Sequence, residues 1–80
     1  MPLFHFNSQI GDEILPDLEG EDLPDLDAAR AVAMSSAREA LVEAVKFGDK
    51  PPDQIQITDS EGNEVGIVPL TQILQDARKR

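Results

Sequence analysis

Hydrophobic and polar positions alternate in some stretches of the chain and step by three and four residues in others. Leu3–Phe4–His5–Phe6–Asn7 has period two, which sets Phe4 and Phe6 on one face and Leu3, His5 and Asn7 on the other. The pattern predicts a strand with its Phe face buried. Ser8–Gln9–Ile10–Gly11–Asp12 reads as a turn, with Gly11 able to take positive φ. Glu13–Ile14–Leu15–Pro16–Asp17 then reads as a short returning strand. Pro16 has no N–H to donate, so this strand ends there or runs along a sheet edge.

From Leu26 to Phe47 there is no Gly or Pro, and Ala, Leu, Val, Glu and Arg dominate. Leu26, Ala29, Ala33, Ala37, Ala40, Leu41, Ala44 and Val45 recur at helical spacing and form one apolar stripe. The spacing predicts a single long helix, with small alanines that allow close approach to a sheet. Asp25 is suited to cap its N-terminus, and Asp27 suits the positive end of the helix dipole. Gly48 supplies the stop, and Pro51–Pro52 prevent resumption.

Alternation returns in Gln54–Ile55–Gln56–Ile57–Thr58, with Ile55 and Ile57 inward. Asp59–Ser60–Glu61–Gly62 has the chemistry of a hairpin loop, and Asn63–Val68 runs back with Val65 and Ile67 inward. Pro69 ends that strand. Leu70, Ile73, Leu74 and Ala77 fit one face of a short final helix, and Arg78, Lys79 and Arg80 complement its C-terminal dipole. The expected fold is α+β: a four-stranded antiparallel sheet packed on one long helix, in the order β-β-α-β-β with a short C-terminal helix. At 80 residues this is a single domain over the whole chain, residues 1–80.

Composition narrows the function more than the fold. Sixteen Asp and Glu stand against seven Lys and Arg, a formal net charge of -9. Direct nucleic-acid binding is therefore not expected, because such binders need a basic surface that displaces counterions. The chain has no cysteine, which removes disulfides, zinc–thiolate sites and cysteine nucleophiles. No apolar run approaches the roughly 18–20 residues that span a bilayer, so no membrane partner is expected. Met1 leads almost directly into strand-like sequence, and the expectation is a soluble cytoplasmic protein without a signal peptide.

Catalytic machinery is equally hard to assemble. His5 is the only histidine, and acid–base work needs a partner and a place for substrate. Calcium loops of the EF-hand type need Gly at the sixth position, whereas counting from Asp17 or Asp59 brings Gly at the fourth. The carboxylates at 17, 19, 21 and 22 sit in a polar, turn-rich stretch that keeps them ionised. Ser35–Ser36 lack a glycine elbow and a base, and the glycines are too scattered to cradle a phosphate. No catalytic, cofactor or metal residue is expected, and the chain is read as a non-enzyme. One internal echo remains. Asp17–Leu–Glu–Gly20–Glu–Asp–Leu23 and Asp59–Ser–Glu–Gly62–Asn–Glu–Val65 both read Asp-x-Glu-Gly-x-acid-aliphatic.

Two resemblances rest on these residues. The start Met1–Pro2–Leu3–Phe4–His5–Phe6 is followed by Asp17, Gly20, Leu23, Pro24, Asp25 and Ala29, and then by the hairpin from Ile55 through Gly62 to Pro69. This series resembles a family of small uncharacterised bacterial proteins, a domain of unknown function, and it implies no activity. Separately, Pro16–Asp17–Leu18–Glu19–Gly20 before an alanine-rich helix is similar to the N-terminal domain of HicB-like antitoxins. That likeness implies a shared architecture and a basic RNA-cleaving toxin as partner.

The expected function is a non-catalytic protein-interaction module, with a homodimer as its assembly. One helix covers one sheet face, so the other would present Leu3, His5, Gln56, Thr58 and Val68, with one of Ile14 or Leu15, to a second copy. The alternative is an antitoxin-like inhibitor. Its acidic stretch, including Asp17, Glu19, Glu21 and Asp22, would face the positive cleft of a basic enzyme.

Overall fold

The computed structural model describes residues 2–78. Five antiparallel strands and two helices follow one another as β1 (Leu3–Ile10), β2 (Glu13–Leu15), β3 (Glu21–Asp22), α1 (Leu26–Phe47), β4 (Gln54–Thr58), β5 (Glu64–Pro69) and α2 (Leu70–Arg78). The sheet runs β2-β1-β4-β5, and β3 pairs with the start of β1. The α+β class and the element order hold, but the sheet has five strands where four are expected. The extra strand is the two-residue β3. It has no side-chain alternation to read, because Glu21 and Asp22 are both exposed and only their backbones join Leu3 and Phe4.

β1 also runs further than expected, through Ser8 to Ile10. The turn is a two-residue loop with Gly11 at φ 59° in its first position, the placement a type II′ turn requires. Asp53 locks this corner. Its carboxylate accepts from the Gly11 N–H at 2.7 Å, its N–H donates to the Gln9 carbonyl, and its carbonyl accepts from the Leu70 N–H.

α1 has the expected limits. The Asp25 carboxylate accepts from the Ala28 N–H at 2.8 Å, satisfying a donor that the first turn leaves open. At the other end Gly48 takes φ 72°, and the Asp49 N–H returns to the Ala44 carbonyl, a Schellman closure. Ala29, Ala33 and Ala37 face the sheet. They meet Phe4, Ile55, Ile57, Val68 and Ile73 in one buried core, with Phe6, Leu23, Leu26, Met34 and Val65 packed around it. The alanines keep α1 close to β4 and β5, so branched side chains of the sheet fill the interface.

β5 departs from strict alternation. Ile57 pairs with Gly66, but Thr58 pairs with Glu64, so Val65 is the extra residue of a bulge. Val65 still packs on the core, while Val68 falls opposite Ile55 and is buried at 1% exposure. Ile67, expected inward, pairs with Gln56 on the open side of the sheet. On α2, Ile73 is buried and Leu74 is exposed. Lys79 and Arg80, and the side chains of Ala77 and Arg78, lie outside the described residues.

Candidate functional site

β2 and β3 lie one after the other along the same edge of β1, which leaves a gap opposite Phe6. Asp17 fills it. One carboxylate oxygen accepts from the Phe6 N–H at 3.1 Å, and the other accepts from the N–H groups of Glu19 and Gly20. The Asp17 N–H donates to Asn7 Oδ1 at 2.9 Å, and its carbonyl accepts from His5 Nδ1 at 2.7 Å. The loop from Pro16 to Gly20 thus acts as a strap, satisfying a strand edge with side-chain atoms where a ladder is missing. Partial burial pushes the Asp17 carboxyl up. The N–H groups of Phe6, Gly20 and Glu19, with the nearby His5 ring, outweigh this and hold it below the ordinary aspartate value.

Gly20 completes the strap. Its φ is 73°, and a Cβ there would lie 3.0 Å from both the Phe4 carbonyl oxygen and His5 Cε1. The close approach and the left-handed conformation both require glycine. His5 is oriented by the same loop. A carbonyl only accepts, so Nδ1 carries the hydrogen, and Nε2 is the acceptor when the ring is neutral.

The echoed motif at Asp59 uses the same turn chemistry in isolation. Its carboxylate accepts from the Glu61 and Asn63 N–H groups at 2.9 Å each, and Gly62 takes φ 85°. The Asn63 backbone bond lowers the Asp59 carboxyl most, against a smaller opposing effect of desolvation, with further help from the Asn63 side chain.

Register settles where the expected dimer face lies. Leu3, His5, Gln56 and Thr58 share the face away from α1 with Asn7 and Gln9, but Thr58 is buried there beside Asn7 rather than presented to a partner, and Val68 is turned into the core by the bulge in β5. Ile14 falls on the open side opposite Gln9, and Leu15 on the helix side opposite Ser8. The open face is polar and internally bonded. Asn7 donates to Gln56 Oε1 and to Thr58 Oγ1, Gln54 donates to Gln9 Oε1 at 2.6 Å, and Gln56 donates to Glu64. Asn7 is the residue that sequence reasoning passed over. It joins this ladder to the Asp17 strap, and its only sequence signal is a polar side chain on the same face as His5.

The expected acidic stretch lies along the outer edge. Glu19, Glu21 and Asp22 are exposed, whereas the Asp17 carboxylate is engaged by backbone donors. Among the described residues no group of three or more His, Asp or Glu could hold a metal ion. Among the described residues, exposed large apolar side chains occur in two groups, with Leu74 on α2 standing apart from both. Ile14, Leu15 and Leu18 project along the strap edge. Val42, Val45 and Phe47 project from the C-terminal half of α1, where a shallow depression is lined by Arg38, Glu39, Val42, Glu43, Lys46 and Phe47.

Residues 3–71 match the family model of a domain of unknown function, DUF6894. The chain belongs to this family. The match spans both Asp-x-Glu-Gly loops, α1 and every strand. No curated protein and no solved structure matches the chain, and the HicB-like likeness gains no support. Membership in DUF6894 brings a fold unit without an assigned reaction. No described helix is long and apolar enough to cross a membrane.

Proposed function

We propose that this domain is a non-catalytic protein-interaction module that pairs with a second copy of itself through the outer flank of α1. The observation that carries the reading is the exposure of Val42 at 63% and Phe47 at 70% along one shallow depression on the C-terminal half of α1, with exposed Val45 outside its lining. Such side chains add nothing to the core and gain by being covered. The charges around Val42 favour a copy of this chain as the cover. Glu39 and Lys46 are seven residues apart, two helical turns, and so lie on one line along α1. In an antiparallel pair of these helices each Glu39 lies across from a Lys46, and the two Val42 side chains meet between them. The flank has two acids and two bases in Arg38, Glu39, Glu43 and Lys46, so it escapes the repulsion that the rest of this acidic surface would impose.

Binding rather than catalysis is supported by how the polar groups are used. The His5 Nδ1 is committed to a carbonyl, the amides of Asn7, Gln54 and Gln56 are committed to one another and their neighbours, and the two acids with lowered pKa brace turns. Sedimentation at micromolar concentration tests the dimer. The wild type is expected at about twice the 8.7 kDa chain mass and Val42→Glu at the chain mass itself. A wild-type monomer would overturn the reading.

A further inference from the structure

We propose that the strap edge is a second docking surface, anchored by Leu18, for a basic protein partner that offers an apolar cleft. Leu18 is 86% exposed, more than any other large hydrophobic residue among those described. Its own turn gives no reason for it. The sister turn at Asp59 has the same bracing carboxylate and the same glycine, yet carries Ser60 at the corresponding position. Serine suits a solvated tip, whereas leucine there loses contact with everything unless a partner covers it. The Asp17 bonds hold the tip in one conformation, so docking Leu18 orders little that is not already ordered. Ile14 and Leu15 are also exposed on edge strand β2, one toward each face of the sheet, four and three residues before the tip.

The charge around this edge selects the occupant. Residues 12–27 contain eight Asp and Glu and no Lys or Arg. A second copy would bring the same eight acids against them, and a nucleic acid or anionic membrane would be repelled in the same way. A lysine- or arginine-rich protein surface is attracted to the acidic rim, and an apolar cleft in it accepts Leu18. This surface is separate from the α1 flank, so the two contacts are compatible and fail independently.

The test uses the full chain and an amphipathic helical peptide of leucine and lysine, with a lysine-only peptide as comparison, followed by amide chemical shifts. Binding of the leucine–lysine peptide is expected to shift residues 14–20 and to weaken as salt rises. Leu18→Ser should weaken it roughly tenfold to a hundredfold, the range of an apolar anchor, with an unchanged melting midpoint because the side chain touches no core. Placing the leucine on the other turn, in the double variant Leu18→Ser with Ser60→Leu, should restore binding only in small part, because residues 59–64 carry three acids against the eight of residues 12–27 and have no counterpart of exposed Ile14 and Leu15. Equal binding of Leu18→Ser and wild type, or of the two peptides, would overturn the proposal. So would shifts confined to Val42–Phe47, or loss of self-association in Leu18→Ser, which would make the occupant a second copy. The Val42→Glu sedimentation result is independent of all these outcomes and bears on the α1 flank alone.

Discussion

The loops at Asp17–Gly20 and Asp59–Gly62 use one local chemistry for two purposes. In each, an aspartate carboxylate accepts N–H groups that follow it in sequence, and a glycine at positive φ lets the chain turn. The loop at Asp59 closes the β4–β5 hairpin and touches little else. The loop at Asp17 spends its second carboxylate oxygen on the Phe6 N–H, its own N–H on Asn7 and its carbonyl on His5. A turn signature therefore says that the chain bends but does not say whether the bend is an end in itself or a fastening to another element. That second property depends on which backbone groups across the sheet lack a partner.

Alanine at the two glycines gives the largest expected contrast. Both substitutions suffer left-handed strain, but only at Gly20 does the new Cβ meet the Phe4 carbonyl and His5, since nothing lies within 4 Å of a Cβ at Gly62. Gly20→Ala is expected to cost about 2–4 kcal/mol and Gly62→Ala about 1–2 kcal/mol. Thermal melting reads the difference at about 4–8 °C per kcal/mol for a domain of this size. Equal losses would mean that the strap shifts aside without penalty.

The aspartates come next. Asp17→Ala strips the acceptor from three N–H groups and is expected to cost about 1–2 kcal/mol, the lower part of the range for charged hydrogen bonds because the group is largely solvated. Amide exchange at Phe6 should accelerate in this variant and stay unchanged in Asp59→Ala. Protection of Phe6 in both would sever the strap from the strand edge.

The smallest effect is with pH. Both carboxyls lie below their ordinary value when folded, so the unfolded chain binds more protons in the acid range. Their contribution is fully present above the unfolded value near 4 and is lost as pH falls through the folded values. Urea midpoints should therefore separate wild type from Asp17→Asn and Asp59→Asn above about pH 5 and converge toward pH 2. Relief of repulsion among the other acids moves all three proteins together and leaves this difference intact. A gap that widens in acid would reverse the assigned sign.

Much of the fold is legible because its signals are local. Asp25 and Gly48 bound α1 by chemistry within four residues of each end, and Asp59 with Gly62 marks the second hairpin the same way. What escapes is set by pairing at a distance. β3 exists because Leu3 and Phe4 have an open edge there, and the bulge at Val65 exchanges the roles of Ile67 and Val68 without changing the composition of β5. That Leu3, His5, Gln56 and Thr58 lie on the side of the sheet away from α1 is legible from alternation alone, whereas Val68 is moved to the other side by that single extra residue and the burial of Thr58 depends on its bond from Asn7 across β1 and β4. The strap was visible as a motif, but its function as a splice depends on a missing pair at Phe6.

The position of β1 also governs how the protein must be made. β1 precedes every other element, yet it lies between β2 and β4, and its His5–Gln9 stretch pairs with residues Gln54–Thr58. Closing such a long intervening segment is entropically costly before any of those contacts form, and folding slows as contacts become less local. A nascent chain that has reached only Phe47 has β1 without β4 and Phe4 without its core partners Ile55, Ile57, Val68 and Ile73. That interval, rather than the finished domain, is when the chain is most exposed to pairing with the wrong strand.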